Sequence, residues 1–366
     1  MARIGSGPLT RALVVENPHE ELDAFLSNEG MEVVRKSGQS PDEDELISLL
    51  RQHRSQVLLK RSRVEVSRRV FESCPDLWAV QLCCIGDDSV DKQAAADHGV
   101  MVFNDPVSNG RSVVEMAIAH LITLSRRFYE TNERCRQGVW EKNNDQRYEV
   151  KGKYLGVLGL GNIGRAVARA ADGLGMRVRF FDSREVAREV GEEFGWESCD
   201  SVETLFRNSD YLTVHLSAKD AKGESNQSLL TRELLMQLGA DRSENSPRVF
   251  LNLSRGFLHT ADDLLSVVES GRIRRAAIDV YPKEPRGSES WRNPYATQPR
   301  IVVTPHIGAS TQEAQPRIAR RVSQTLSAFS FRGAVRDCVF SPKSKLLLHD
   351  DGRAGGVWLI VGHANT

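Results

Sequence analysis

The stretch YLGVLGLGNIGRAVARAADGLGMRVRFFD, residues 154–182, decides the fold class. An apolar run leads into Gly159, Gly161 and Gly164, which are spaced as G-x-G-x-x-G. An alanine-rich helical pattern follows, and a second apolar run ends in Asp182. In this setting the glycines suit, in order, a tight turn, a close approach of backbone to a pyrophosphate, and close packing of helix on strand. The stretch predicts a strand–helix–strand unit that binds a dinucleotide.

The acid that ends the second run indicates which dinucleotide is bound. Asp182 lies 23 positions after Gly159, close to the roughly 20 positions expected of an acid that hydrogen-bonds ribose hydroxyls. Its charge would repel a 2′-phosphate, so NAD is favoured over NADP. Arg184, two residues further on, weakens that preference slightly. The alternative for the whole stretch is a glycine-rich structural turn.

The composition argues against a nucleic-acid or membrane partner. Basic and acidic residues both number 49, and the pI is about 7.1, whereas a nucleic-acid-binding surface needs a basic excess. The apolar stretches are shorter than the ~20 residues of a membrane span, and the first residues lack the apolar core of a signal peptide. The six cysteines show no zinc-site spacing. We therefore expect a cytoplasmic protein without a metal.

Short apolar runs alternate with helical patterns, in one series within residues 11–104 and a second within 154–305. This alternation is typical of parallel sheets with helices on both faces. It predicts an α/β protein, and 366 residues suit about two domains. One long helix is predicted over 112–138 and another over 311–331. Residues 341–366 contain one more strand candidate, VWLIV, which either docks on the body or opens a further small domain.

Three later apolar runs each end in polar residues. VFLNLSRG brings Arg255, AAIDVYPKEP brings Asp279 and Glu284, and IVVTPHIGAS brings His306. The carboxyl ends of strands in a doubly wound sheet line the ligand crevice. We therefore expect Arg255 and the loop from Asp279 to Glu284 beside the nicotinamide, with His306 at a hinge.

These residue types suit hydride transfer between NAD and a 2-hydroxy acid. Arg255 can hold the substrate carboxylate in fork geometry, and His306 can exchange the hydroxyl proton. Glu284 would raise the pKa of His306 by favouring the imidazolium. Asp279 would accept a hydrogen bond from the nicotinamide carboxamide. Taken singly, each could instead be a solvated strand end or a polar turn residue.

Four of the other histidines have simpler interpretations. We predict that His215 is a strand-end residue near the adenosine. His98, His120 and His259 are predicted to be structural.

The motifs GLGNIG, LNLSRG, AAIDVYPKEP and TPHIGASTQEAQ resemble the D-isomer-specific 2-hydroxyacid dehydrogenases, over roughly residues 55–330. The resemblance implies two doubly wound parallel-sheet domains, with a Rossmann NAD domain (113–299) inserted into a flavodoxin-like substrate domain (1–112 and 300–340), and a homodimer or homotetramer. It implies Arg255, Glu284 and His306 as the catalytic set. The cofactor-contact positions it implies are Gly159, Gly161, Asn162, Ile163, Gly164, Asp182, Leu253, Ser254, Asp279 and Gly308.

Within the family, the chain most resembles the subgroup that oxidises D-3-phosphoglycerate. The segments VFNDPVSNGRSVVEM and GVWEK carry this resemblance together with HIGASTQEAQ. It implies that the substrate phosphate binds in KRSRV, at Arg61, Ser62 and Arg63, for which a solvated basic turn is the alternative. It also implies that Gly86 lies in a loop offering backbone N–H groups to the substrate carboxylate. GVWEK, with Trp140 and Lys142, resembles a segment that reaches a neighbouring subunit.

Some features depart from the family pattern. Asp105 stands in place of a small residue, Ser217 in place of a proline, and LGADRSENSPRVF is longer than the usual turn. The tail at 341–366 resembles at most the first strand of a regulatory domain, which puts feedback control by serine in doubt. Two alternative functions remain open: a glyoxylate or hydroxypyruvate reductase, and an NAD-sensing binding protein similar to the corepressors of the family.

Overall fold

The computed structural model describes residues 8–220, 223–285 and 290–340, which fall into two compact units. The first unit holds the described residues up to Asn109 and from Thr311 onward, and the second holds those of Gly110–Ser310. The strand Ile301–Val303 pairs within the sheet of the second unit, which extends to Ser310. The strand candidate VWLIV lies outside the described residues.

The first unit contains a six-stranded sheet in which five parallel strands have the order 2-1-3-4-5 of a flavodoxin-like fold. Numbered along the chain, its strands are β1 (Arg11–Val14), β2 (Glu32–Arg35), β3 (Val57–Lys60), β4 (Ala79–Leu82), β5 (Met101–Phe103) and β13 (Cys338–Phe340). Its helices are α1 (Glu21–Asn28), α2 (Glu43–Gln52), α3 (Arg68–Ser73), α4 (Lys92–Asp97) and α12 (Ala314–Arg332). Strand β13 adds antiparallel to β5 at the edge.

Helices α2, α3 and α4 of the first unit start where a side chain accepts from a free backbone N–H group. Asp42 accepts from the Glu45 N–H, Ser67 from Arg69 and Asp91 from Ala94. Strands β3, β4 and β5 are buried along their whole length, as expected of parallel strands covered on both faces.

The second unit contains a seven-stranded sheet of parallel strands, in the order β12-β11-β10-β9-β6-β7-β8. The strands are β6 (Tyr154–Leu158), β7 (Arg177–Phe181), β8 (Glu197–Ser198), β9 (Tyr211–Val214), β10 (Val249–Asn252), β11 (Arg275–Ile278) and β12 (Ile301–Val303). The helices are α5 (Gly110–Ser125), α6 (Phe128–Arg136), α7 (Asn162–Gly173), α8 (Glu185–Glu193), α9 (Val202–Arg207), α10 (Arg232–Leu235) and α11 (Ala261–Glu269), with a 3₁₀ turn at Gly256–Leu258. This is a Rossmann order, and the strand order reverses between β6 and β9, where dinucleotides bind in such sheets.

The fold class is confirmed, and three elements differ from the sequence prediction. The helix predicted over 112–138 is wrong, because Arg127 is left-handed (φ 54°) and separates α5 from α6. The Ser125 carbonyl accepts from the Tyr148 N–H instead of continuing the helix. Strands β8, of two residues, and β13, of three, were not predicted. Within the described residues, no helix is long and apolar enough to cross a membrane.

Candidate active site

The glycine-rich turn after β6 has the geometry that its sequence requires. Gly159 has φ +90°, and a Cβ there would lie 2.6 Å from the His215 carbonyl oxygen. A Cβ on Gly164 would lie 2.0 Å from the Gly159 oxygen, so α7 can pack against β6 only with glycine at this position. Helix α7 begins at Asn162, directly after Gly161, and its free N–H groups form an anion-binding end.

Asp182 follows β7 and is buried. Its Oδ2 accepts from the Leu160 N–H at 2.7 Å, which ties the end of β7 to the glycine turn. Burial raises the pKa of this carboxyl, but hydrogen bonds from Arg184 and Leu160 outweigh burial and leave the pKa lowered. The turn, the start of α7 and an ionised acid at the end of β7 together fit the pyrophosphate and ribose of NAD.

His306 and Glu284 form a close pair after β12 and β11. The His306 Nδ1 lies 2.9 Å and 2.8 Å from the two Glu284 carboxylate oxygens. The hydrogen bond to Glu284 raises the pKa of His306, against burial. Burial raises the pKa of Glu284, but the hydrogen bond and charge of His306 lower it by more. The pKa of Glu284 is therefore below its ordinary value. Because Nδ1 faces the carboxylate, Nε2 is the ring nitrogen left for proton exchange.

Asp279 holds the loop that carries His306. Its side chain is 1% exposed. Oδ1 accepts from the Thr304 hydroxyl at 2.6 Å and the Ile307 N–H at 2.9 Å, and Oδ2 accepts from the Gly308 N–H at 2.8 Å. The loop needs this anchor, because His306 has a left-handed backbone (φ 55°), which costs a non-glycine residue free energy.

A buried asparagine at the end of β10 positions the backbone of Arg255. Asn252 is 0% exposed. Its Nδ2 donates to the Arg255 carbonyl at 2.9 Å, and its Oδ1 accepts from the Ser254 N–H and hydroxyl, both at 3.1 Å. The Arg255 charge acts on the neighbouring pair, where it lowers the pKa of Glu284 and opposes protonation of His306.

The loops after β10, β11 and β12 are tied to one another. The Tyr281 hydroxyl donates to the Thr304 carbonyl at 2.9 Å, and the Tyr281 N–H donates to Glu284 Oε1 at 3.3 Å. A Cβ on Gly256 would lie 2.0 Å from the Tyr281 carbonyl carbon, so these loops touch backbone to backbone. The structure therefore brings a guanidinium, an imidazole and a carboxylate together at the carboxyl edge of one sheet.

Comparison with known proteins decides the family. Residues 118–308 match the family model described as D-isomer specific 2-hydroxyacid dehydrogenase, NAD binding domain. A D-3-phosphoglycerate dehydrogenase of Dictyostelium discoideum is 32% identical over 341 residues, which cover 92% of this chain and 79% of that protein. The chain belongs to the D-isomer-specific 2-hydroxyacid dehydrogenases.

Other relatives of this dehydrogenase agree. The D-3-phosphoglycerate dehydrogenase of Escherichia coli (strain K12) is 32% identical over 358 residues, covering 96% of this chain and 81% of that protein. A glyoxylate reductase from Paecilomyes thermophila has the same fold, with a TM-score of 0.77 at 22% identity, covering 91% of this chain and 98% of that one. The family resemblance and NAD as cofactor, both predicted from the motifs, are confirmed.

The other predicted cofactor positions lie around the same edge. Asn162 and Ile163 begin α7, Leu253 is buried after β10, and Gly308 donates its N–H to Asp279. Ser254 bonds to Asn252 and presents its carbonyl to the Arg255 side chain at 2.9 Å.

Two of the histidines that were predicted to be structural, His120 and His259, are buried. His120 lies inside α5 and His259 precedes α11, and burial lowers the pKa of both. His215 follows β9 directly, and burial lowers its pKa to about 4. Its Nε2 lies 2.9 Å from the Thr213 hydroxyl.

Three residues that shape the catalytic loops were missed from the sequence. Asn252 could have been found, because asparagine side chains commonly bond the backbone two residues on, which here is the Ser254 N–H. Thr304 and Tyr281 carry no local signal, since their partners lie about two dozen residues away in the chain.

The residues predicted to bind a phosphate lie in the first unit, directly after β3. Arg61 is half-buried, and Ser62 and Arg63 are exposed. Glu16 Oε1 accepts from the Arg63 N–H at 2.6 Å, and the buried Lys60 ammonium donates to the Arg61 carbonyl at 2.9 Å. The loop is therefore shaped by an acid on one side and a lysine on the other.

Two further residues of the first unit bear on the predictions. Gly86 follows β4, and its carbonyl lies 3.3 Å from the Cys84 sulfur. Asp105 is 1% exposed, and its Oδ1 accepts from the Val107 and Ser108 N–H groups at 3.1 Å and 3.0 Å. Asp105 therefore caps a turn.

Among the residues that the structure describes, no group of histidine, cysteine and acidic side chains could hold a metal ion.

Proposed function

We propose that this dehydrogenase oxidises D-3-phosphoglycerate to 3-phosphohydroxypyruvate in the cytoplasm. The observation that carries the proposal is the His306–Glu284 pair at 2.8 Å, within electrostatic reach of Arg255 at one sheet edge. Such a pair suits removal of a hydroxyl proton near neutral pH. The substrate is inferred from the relatives named D-3-phosphoglycerate dehydrogenase, which match nearly the whole chain.

Each residue has one task in the proposed reaction. NAD, when bound, would supply the acceptor for the hydride (the C2 hydrogen with its two electrons) that leaves the substrate. Arg255 holds the carboxylate through its guanidinium fork and polarises the 2-oxygen. His306 Nε2 takes the hydroxyl proton, and Glu284 stabilises the imidazolium at Nδ1. Asp279 keeps the His306 loop in place. Its Oδ2, which accepts from the Gly308 N–H, can also accept from the carboxamide N–H₂ of the nicotinamide.

We assign the substrate phosphate to Arg61, Ser62 and Arg63, and the carboxylate-binding backbone to the loop at Gly86. Two arginines in alternate positions can pair with a dianion in fork geometry. Glu16 and Lys60 bond the backbone of this loop rather than its side chains, which leaves the guanidinium groups available. A reductase of glyoxylate or hydroxypyruvate would need no such site.

The test is the rate of NADH formation with D-3-phosphoglycerate and NAD, in the natural chain and in an Arg61→Ala, Arg63→Ala variant. The matched control is Arg51→Ala, Arg54→Ala, which removes two exposed arginines from the amino-terminal side of β3. We expect turnover by the natural chain, its loss in the first variant and its retention in the control. Reduction of glyoxylate or hydroxypyruvate without D-3-phosphoglycerate oxidation would assign the alternative reductase. Tight NAD binding without turnover of any of these acids would favour the sensor function.

We also propose that the chain forms a homodimer or homotetramer through α6 and the segment to residue 150, including Trp140 and Lys142. The Trp140 side chain is 84% exposed and Phe128 is 57% exposed, and every residue of α6 is at least partly exposed. Large exposed apolar side chains in one segment are typical of protein–protein contacts. Light scattering of a Trp140→Asp variant should show a lower mass than the natural chain, whereas a monomeric natural chain would overturn the proposal.

A further inference from the structure

The carboxylate of Asp182 has no lone pair left for a ribose. Oδ1 accepts from the Arg184 N–H at 2.9 Å and from the Arg184 Nε at 3.0 Å. Oδ2 accepts from the Leu160 N–H at 2.7 Å and from the Arg184 Nη2 at 2.9 Å. A carboxylate offers about four lone-pair sites, so these donors occupy all of them. The two ribose hydroxyls of NAD can bond to Asp182 only after the Arg184 side chain moves.

The Arg184 side chain is placed to move without leaving the site. It is 36% exposed, whereas Asp182 is 7% exposed, so solvent reaches the guanidinium. Its Nη2 lies 3.8 Å from where a Cβ on Gly161 would be, beside the turn that precedes α7. A small rotation therefore keeps the guanidinium at the ribose end of the dinucleotide site.

The pair also changes the charge that a 2′-phosphate would meet. An isolated Asp182 would repel the phosphate, but the fork pair with Arg184 cancels that charge locally. Arginine stays protonated at any ordinary pH and binds phosphate through two parallel N–H groups. An arginine at this place in a Rossmann fold accommodates the 2′-phosphate of NADP.

We propose that this dehydrogenase binds NADP(H) as well as NAD(H), and that Arg184 is the residue that admits the 2′-phosphate. With NAD(H), Arg184 swings aside and Asp182 accepts from the ribose hydroxyls. With NADP(H), the guanidinium keeps an N–H on the Asp182 carboxylate and turns its other N–H groups to the phosphate, so that it stands between the two anions. The inference concerns cofactor choice and is independent of which hydroxy acid is the substrate.

The test measures dissociation constants of NADH and NADPH by titration calorimetry without any hydroxy acid. For the natural chain, we expect the two constants to agree within about tenfold, which corresponds to about 1.4 kcal/mol. Arg184→Ala should weaken NADPH binding by about tenfold or more, because a charge-assisted pair is lost. The same change should leave NADH binding unchanged or tighter, since Asp182 is released for the ribose.

Two further variants keep the result interpretable. Arg184→Lys retains the charge without the fork and should bind NADPH with intermediate affinity. Arg169→Ala removes an exposed arginine from the second turn of α7 and should change neither constant. Circular dichroism confirms that each variant is folded. The proposal is overturned if the natural chain binds NADPH more than about tenfold more weakly than NADH, or if Arg184→Ala weakens both cofactors equally.

Discussion

Two buried carboxylates at the same edge of the second sheet are held in different ways. Asp182, at the dinucleotide end (the loops after β6 and β7), is bonded by Arg184, two residues later, and by Leu160, 22 residues earlier but within the same strand–helix–strand unit. Asp279, at the catalytic end (the loops after β10, β11 and β12), is bonded by Thr304, Ile307 and Gly308, 25 to 29 residues further along the chain. The first acid is built by its own motif, and the second depends on another loop.

This difference indicates which substitutions should impair each end of the site. The dinucleotide end is specified within residues 154–184 and should tolerate changes elsewhere in the sheet. The catalytic end exists only when three separate loops fold against each other, so changes in one loop should act on the others. Cofactor binding and turnover should therefore respond to different substitutions.

The largest effect is expected for His306→Gln, which removes the proton acceptor from the catalytic end. The kcat for hydroxy-acid oxidation should fall by about 10²- to 10⁴-fold, the usual contribution of general acid–base catalysis. NADH affinity, measured by titration calorimetry, should stay that of the natural chain. Residual kcat near the natural value would remove His306 from the mechanism, and lost NADH affinity would mean that the two ends are not separable.

A pair of glycine substitutions tests that separation directly. In Gly164→Ala, the new Cβ meets the Gly159 oxygen, and in Gly256→Ala it meets the Tyr281 backbone. Each overpacking should cost about 1–3 kcal/mol of unfolding free energy, measured by urea denaturation.

The two variants should differ in what else they lose. Gly164→Ala should weaken NADH binding, because it displaces the start of α7. Gly256→Ala should lower kcat while NADH binding persists, because it displaces Arg255 from Glu284 and His306. If both variants lose binding and turnover in the same proportion, the comparison fails.

A smaller, pH-dependent effect is expected for Glu284→Gln. Protonated His306 cannot accept the hydroxyl proton, so oxidation declines as the pH falls below the pKa of His306. Glu284 raises that pKa, and its removal should therefore move the acidic limb of the kcat/KM profile to lower pH. Reduction near neutral pH should slow, because less imidazolium is present.

The control for the pH profile is Glu193→Gln, an exposed glutamate at the end of α8, which should leave the profile in place. An acidic limb that stays put or moves to higher pH in Glu284→Gln would contradict the role of Glu284 in setting the pKa of His306.

The smallest effect is expected for Asn252→Asp. The variant keeps an oxygen for the Ser254 N–H but cannot donate to the Arg255 carbonyl. Loss of one such hydrogen bond is worth about 1 kcal/mol, or about a fivefold fall in kcat/KM for the hydroxy acid. NADH affinity should not change, and neither should any parameter in the control Asn208→Asp, which alters an asparagine after α9. An unchanged kcat/KM in Asn252→Asp would show that this bond does not position Arg255.

Predictions succeeded or failed for the reason that separates the two carboxylates: local contacts are easier to predict than contacts between distant segments. The runs at 154–158 and 177–181 form strands as predicted, because each run carries its own signal: β6 is buried over four of its five residues, and buried residues alternate along β7. The helix over 112–138 breaks at the left-handed Arg127, and the N–H of Tyr148, outside the helix, bonds to the carbonyl of Ser125. Asp105 is unexplained in the sequence, yet in the fold it caps a turn.

The sequence by itself determined the two parallel sheets, the dinucleotide motif and the types of residue that gather for catalysis. These depend on periodicity, on glycines with no room for a side chain, and on polar residues that follow buried strands. Tertiary structure alone decided the contacts between separate loops: Asp279 with the loop of His306, and Tyr281 with Thr304. Hydrogen bonds between distant segments form only when the sheet aligns its strand ends, and no local pattern encodes that alignment.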